Sequence, residues 1–245
     1  MTELRNYQKG DIDQTSPIFQ LFSQLFQTWQ HTLQCLPSDA QIAQFTQLYH
    51  LILEGNSQQN LTRITAPEDF WEKHLWDSLR GIGTIAELED MRMVDIGTGA
   101  GFPGLAIAIA KPSWQVTLID STQKKIAFVE QTIQKLQLLN ANTVVGRAEN
   151  LNQQRQYNRK YDLAAVRAVG KPDLCAKYCL PFLNKNGIAI LYRGQWLPEE
   201  SQQLDEFCGH GSWSIIKEDK FQTPLTHGVR HSIYLSLQST SISTS

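Results

Sequence analysis

The 245-residue sequence predicts an α/β fold, a small helical domain followed by a doubly wound, mostly parallel sheet of seven strands. Two observations carry this. From Arg92 onward, strand-like apolar runs alternate with runs of helical period, a pattern that right-handed crossovers turn into a parallel sheet covered on both faces. The first of those strands leads straight into a glycine-rich turn, "MRMVDIGTGAGFPGLAIAIAKP" (residues 91–112), with Gly97, Gly99, Gly101 and Gly104 close together before an apolar helix former.

Taken in order, residues 1–17 are polar, end at Pro17 and read as a flexible leader. Phe19, Phe22, Phe26, Trp29 and Leu33 recur at helical spacing over 18–36, and Ile42, Phe45, Leu48, Tyr49 and Ile52 form a second such run. Between them "LPSDA" supplies a break and a helix start at Ser38 or Asp39. After a polar turn, Pro67 opens a third helix at its first position, so 18–90 reads as a helical domain. Within 91–238, strands are expected at 92–96, 115–120, 143–146, 161–166, 187–192, 213–218 and 230–237, and helices at 103–110, 124–139, 171–183 and 198–208. The last strand should run antiparallel, which brings its beginning to the edge where the parallel strands end. The tail 239–245, "STSISTS", has nothing to pack and reads as disordered.

A hydrophobic content of 41% with 19% charged residues describes a globular chain, and no apolar run is long enough to cross a bilayer. The N-terminus lacks a basic patch followed by an apolar core, so a cytoplasmic protein is expected. Cys35, Cys175, Cys179 and Cys208 show no CxxC spacing and no nearby histidines, which argues for reduced thiols and no metal. The net charge of −2 conceals an asymmetry: five Lys/Arg against twelve Asp/Glu in residues 1–90, and seventeen against twelve in the rest. A basic C-terminal half suggests an anionic partner.

The glycine turn can be read in two frames. From Gly99 it matches GxGxxG, the dinucleotide fingerprint, but that frame begins two residues too late for a turn that should follow the strand directly. From Gly97 it matches DxGxGxG, with Asp95 in the strand and Gly97, Gly99 and Gly101 in the turn; this resembles the S-adenosyl-L-methionine (SAM) loop of class I methyltransferases. Asp95 favours the second frame. A carboxylate ending a buried strand is costly unless it accepts hydrogen bonds or faces a cation; SAM carries an ammonium and a sulfonium, whereas a pyrophosphate would be repelled. Asp120 ends the second strand and suits ribose hydroxyls of either cofactor. After the third strand, Ala148 and Glu149 of "GRAEN" would lie near an adenine edge.

Neither an NPPY-like motif nor a Pro-Cys nucleophile is present. Arginines occupy the strand ends: Arg147, Arg167, Arg193 and Arg230, joined by Lys124 and Lys125 after the second strand. Cations converging on one edge suit an RNA phosphate backbone.

In sequence order, "NLTRI", "KHLWDS", "VDIGTGAGFPGLAIAIAKP", "VTLIDSTQKKIAFV", "GRAEN", "VRAVG", "YRG" and "GVRHSIYL" resemble the bacterial 16S ribosomal RNA guanine-N7 methyltransferase family, also called glucose-inhibited division protein B. The resemblance implies a class I SAM-dependent methyltransferase fold (Rossmann-like), SAM as donor, and a guanine in the decoding-region loop of 16S rRNA or the small ribosomal subunit as acceptor. By position it implies cofactor contacts at Gly97, Phe102, Asp120, Ser121, Thr122, Ala148, Glu149 and Arg167. The chain departs from the family pattern at Gly55, where tryptophan is common, at Val166, often serine, and at Arg193, usually lysine. Guanine N7 has a free lone pair, so no general base is expected; Arg167 and Arg193 would position the substrate. His74, Asp77 and Asn60 are further candidates for reaching the site, or else serve helix packing and turn formation. A monomer is expected. The alternatives are methylation of another RNA, a non-catalytic SAM-binding module, and an NAD-dependent oxidoreductase, for which no hydride-site acid or Tyr/Lys pair is evident.

Overall fold

The computed structural model describes residues 14–211 and 213–237. Most of the expected leader and all of the 239–245 tail lie outside them. Helix α1 (Pro17–Thr32) is capped by the Ser16 side chain and stops where Gln34 turns to φ 55°. Helix α2 (Asp39–Gln59) starts at a capping box: Ser38 Oγ accepts from the Gln41 N–H, and Gln41 Oε1 accepts from the Ser38 N–H. The next segment changes pitch twice, from α3 (Pro67–Phe70) through a π-helical stretch (Trp71–Trp76) to α4 (Asp77–Gly81).

The sheet strands are β1 (Arg92–Ile96), β2 (Gln115–Asp120), β3 (Ala141–Val145), β4 (Tyr161–Arg167), β5 (Leu183–Arg193), β6 (Trp213–Gln222) and β7 (Val229–Leu237), in spatial order β3-β2-β1-β4-β5-β7-β6. Strands β1 to β5 are parallel, while β7 runs antiparallel to both β5 and β6. The chain order reverses between β1 and β4, so the ends of these two strands form the switch point where α/β sheets take ligands. Between strands lie α5 (Gly104–Ala110), α6 (Gln123–Leu136), α7 (Ala148–Leu151), α8 (Pro172–Cys179) and α9 (Pro198–Gly209).

Several boundaries differ from the sequence expectation for local reasons. Helix α6 ends at Leu136, not 139, because Gln137 enters the left-handed region at φ 55° and the Leu138 N–H returns to the Ile133 carbonyl. Helix α8 ends at Cys179, and a 3-10 turn, Leu180–Phe182, follows around Pro181, which has no N–H to continue the ladder. β5 begins as early as Leu183 because Leu183 pairs with Tyr161 across a register shift. β3 begins two residues early, with Ala141 beside Val116, and ends one residue early.

Alternate strand residues feed two cores. Val94, Ile96, Ala164, Val166, Ala189, Leu191, Ile233 and Leu235 face one side, with α7, α8 and α9. Met93, Val116, Leu118, Leu163, Ala165 and Ile190 face the other, in one continuous apolar cluster with Phe22, Phe26 and Trp29 of α1, Phe45 and Leu48 of α2, and Phe70 and Trp71. Burying each such large side chain contributes about 2 kcal/mol. Polar anchors complete the dock. Tyr192 and Tyr234 donate from the sheet to the Ser78 and Gly81 carbonyls at 2.7 and 2.8 Å. Gly55 is packed by α6: a Cβ there would lie 2.2 Å from the Phe128 ring, which fills the space the missing side chain leaves.

Candidate active site at the ends of β1, β2 and β4

The turn after β1 is left-handed at alternate residues: φ is 69° at Gly97, 59° at Gly99 and 101° at Gly101. Side chains are disfavoured there. Gly97 is also closed by its neighbour, since a Cβ would lie 2.6 Å from Val169, whereas a Cβ at Gly99 would meet nothing nearer than the Gly97 carbonyl at 3.9 Å. Gly99 thus presents bare backbone.

Asp95 is fully buried beneath the turn. Its Oδ2 accepts from Thr98 Oγ1 at 2.6 Å and from the Gly104 N–H at 2.8 Å, and its Oδ1 has no partner among the described residues. Burial pushes its carboxyl up to about 6 against the pull of those two hydrogen bonds. Asp120, at the end of β2, accepts from the Gly99 N–H at 3.1 Å and from the Thr122 N–H at 2.8 Å. The Gly146 N–H donates to the Asp120 carbonyl, which brings Arg147, Ala148 and Glu149 alongside. A group with a cationic head and a ribose fits this donor set: a bare backbone cradle, a spare buried carboxylate oxygen and a second carboxylate one strand over.

Arg167 ends β4 and is held by the helical segment. It donates to the Lys73 carbonyl at 2.9 Å and to His74 Nδ1 at 3.1 Å, and it lies 3.5 Å from the Asp77 carboxylate. His74 stacks on Phe102 with ring centroids 4.3 Å apart, and the Arg167 guanidinium stands 5.7 Å from the same Phe102 ring. Burial, with Arg167 and Lys73 nearby, depresses the His74 pKa well below the usual 6.5, so the ring is neutral. Nδ1 then accepts from Arg167 while Nε2–H donates to Thr62 Oγ1 at 3.1 Å, the tautomer this network requires. Burial raises the Asp77 pKa, opposed by Arg167 and Arg230.

The fold therefore brings together Asp95, the glycine turn, Phe102, Asp120, Thr122 and Arg167, with His74 and Asp77 behind Arg167. Other candidates lie at the margin of this group or are engaged elsewhere, with Arg230 near enough to act on Asp77. Arg193 is paired with Glu200 of α9 and donates to the Gly170 carbonyl at 2.7 Å, so its charge is already matched. Arg147 is exposed, 3.8 Å from Glu149. Ser121 is exposed between Asp120 and Thr122, while in the first turn of α6 Lys124 is exposed and Lys125 half-buried. Arg230 donates to the carbonyl of Val229 beside it. Asn60 is exposed and ends α2 at φ 49°.

Sequence reasoning passed over Thr98, Val169 and Glu72. Thr98 could have been found, standing three residues after Asp95 in the turn. Glu72 is fully buried yet accepts from the Leu225 and Thr226 N–H groups at 2.6 and 2.9 Å, which fixes the β6–β7 loop to the helical segment. Its partners lie more than 150 residues away, beyond any local pattern.

A family model described as rRNA small subunit methyltransferase G matches residues 41–224. The chain is 52% identical over 222 residues to a protein of Microcystis aeruginosa named ribosomal RNA small subunit methyltransferase G, covering 88% of this chain and 99% of that one. It is 50% identical over 220 residues to the protein of that name from Trichormus variabilis, covering 88% and 90%. Among solved structures, the O-methyltransferase from Bacillus cereus in complex with SAH is similar in fold, with a TM-score of 0.59 at 13% identity over 90% of this chain and 100% of that one. A SAM-dependent methyltransferase from Aquifex aeolicus gives 0.52 at 14% identity, covering 76% and 97%.

Proposed function

The chain belongs to the rRNA small subunit methyltransferase G family, and from that premise we propose that this SAM-dependent rRNA methyltransferase acts on N7 of a guanine in the decoding-region loop of 16S rRNA. SAM supplies an electrophilic methyl group on a sulfonium. The residues that would hold it are the Gly97–Gly99–Gly101 backbone and Asp95 at its cationic end, Asp120 with Ser121 and Thr122 at the ribose, and Ala148 and Glu149 at the base; Phe102 and Arg167 border the methyl end. Residues 91–238 do the chemistry in this reading, and 18–90 brace Arg167. The protein works as a monomer in the cytoplasm, where its RNA substrate is assembled.

The single observation that carries the reading is the convergence of Asp95, the glycine turn, Asp120 and Arg167 on the β1–β4 switch point. N7 carries a lone pair and no proton, so no side chain has to remove one. Alignment supplies the rate: nucleophile, methyl carbon and sulfur must lie in line. Arg167 is held by three groups behind it, and its role is to present a fixed donor to guanine O6 or to a phosphate, leaving the N7 lone pair free. Arg193 acts at one remove, holding the Gly170 carbonyl so that Val169 stays over Gly97. Lys124, Lys125, Arg147 and Arg230 contribute to RNA attraction around the edge. The test is incubation of the purified protein with methyl-labelled SAM and either free 16S rRNA or assembled small subunits. Label should enter the RNA of at least one of them; SAM binding without transfer to either would leave only a binding module.

A further inference from the structure

On the side of the sheet opposite the glycine turn, between α7 and β4, the chain runs "QQRQYNRK", residues 153–160, with three cations and no acid. Arg155, Arg159 and Lys160 are all exposed, and among the described residues none of them makes an ion pair. The backbone beneath them is tied down. The Tyr157 and Asn158 N–H groups both donate to the Gln154 carbonyl at 2.9 Å, and the Asn158 side chain donates to the Asn152 carbonyl at 2.6 Å. The Arg159 and Lys160 N–H groups donate to the Pro181 and Phe182 carbonyls at 3.0 and 2.9 Å. Arg159 is held at φ 54°, a left-handed conformation that costs a non-glycine residue roughly 1–2 kcal/mol. Gln154, Arg155, Gln156 and Lys160 border an open hollow of about 520 Å³. Exposed Lys185, near the start of β5, adds a fourth cation. The neighbouring acid, Asp162, is engaged by the Arg92 N–H at 2.8 Å and the Asn184 amide at 2.6 Å.

A loop with a fixed backbone has already met the backbone share of the ordering cost of binding an anion, and unpaired cations have no ion pair to give up. Its guanidiniums match phosphate geometry, and its glutamine amides suit phosphate and ribose oxygens. We infer that residues 153–160 form a second contact for the phosphate backbone of the substrate RNA, remote from the methyl-transfer edge; this rests on the rRNA reading above. Strand β4 separates the loop from Arg167 by about 20 Å at a rise near 3.3 Å per residue, so only an RNA extending beyond the target loop can touch both.

The test is the R155Q/R159Q/K160Q variant; glutamine already adopts the same backbone in this chain, at Gln137 with φ 55°. Binding is measured against full-length 16S rRNA and against a short hairpin confined to the target loop, each over a range of salt, with SAM affinity as the check on folding. The single variants R155Q and K160Q stand in should the triple variant lose SAM. Expected is an affinity loss of about tenfold or more for the long RNA, a salt slope shallower by about 0.7–0.9 per lost phosphate contact, and an unchanged hairpin. An unchanged long RNA, or equal losses on both RNAs, overturns the inference. A wild-type protein that neither binds nor methylates either RNA would instead overturn the rRNA reading itself.

Discussion

Asp95 is a buried charge that works against the empty fold, and in the proposed reading it faces the cofactor. Burial pushes its carboxyl up to about 6, from an ordinary value of 3.8. A raised folded value means that the associated stability, on the order of 3 kcal/mol, is present below about 4 and lost as pH rises through about 6. Asp95→Asn should therefore unfold no more easily than wild type at pH 8 while losing at least tenfold in SAM affinity. Calorimetry and thermal melts on one sample check both halves; intact affinity would remove Asp95 from the cofactor site. In the wild type, SAM affinity should climb as pH rises through about 6, because the carboxylate is the form that faces a cation. His74 gives the opposite sign. Its depressed pKa means that stability is lost as pH falls below 6.5, and His74→Gln should flatten that part of the stability profile. Arg167 cannot be truncated cleanly, since Arg167→Ala would strand Asp77, only 8% exposed; a loss of about 3–5 kcal/mol is expected. Arg167→Lys tests its role better: it keeps the charge but cannot reach Lys73, His74 and Asp77 in one plane, and methylation should fall about 100-fold with SAM affinity little changed.

Among the elements, those legible in the sequence were those with a local cause. β1 and β2 stood out because each is a strong apolar strand with an acid at its last or next-to-last position, and the turn stood out because only glycine adopts its dihedrals cheaply. The mostly parallel sheet followed from the alternation of its strands with helices. What stayed illegible was set by distant partners. The early start of β5 depends on Tyr161, and the support of Arg167 on His74, 93 residues before it. Arg193 read as a free cation because Glu200, its partner, lies on a different element. Two substitutions probe this long-range docking. Glu72→Gln weakens two charge-assisted backbone bonds, and hydrogen exchange at the Leu225 and Thr226 amides should quicken, with a stability loss of about 1–3 kcal/mol. Tyr192→Phe leaves the Ser78 carbonyl buried without its donor and should cost about 1 kcal/mol by denaturant titration.

For the molecule as a whole, the helices before β1 and one face of the sheet share a single apolar cluster. The chain should unfold in one cooperative transition, and deleting residues 1–38 should abolish it, because Phe45, Phe70 and Trp71 would lose the α1 aromatics packed on them. A stable, SAM-binding deletion variant would show that the rest of the chain folds without α1. The same architecture joins a glycine turn, the proposed cofactor cradle, to a braced arginine at one switch point, and the chemistry proposed there is specific to a single atom. Mass mapping of small-subunit rRNA methylated by the purified protein tests that most directly. The account predicts one 7-methylguanosine, in the decoding-region loop; a methyl group on an exocyclic amine, a ribose or another base would contradict it.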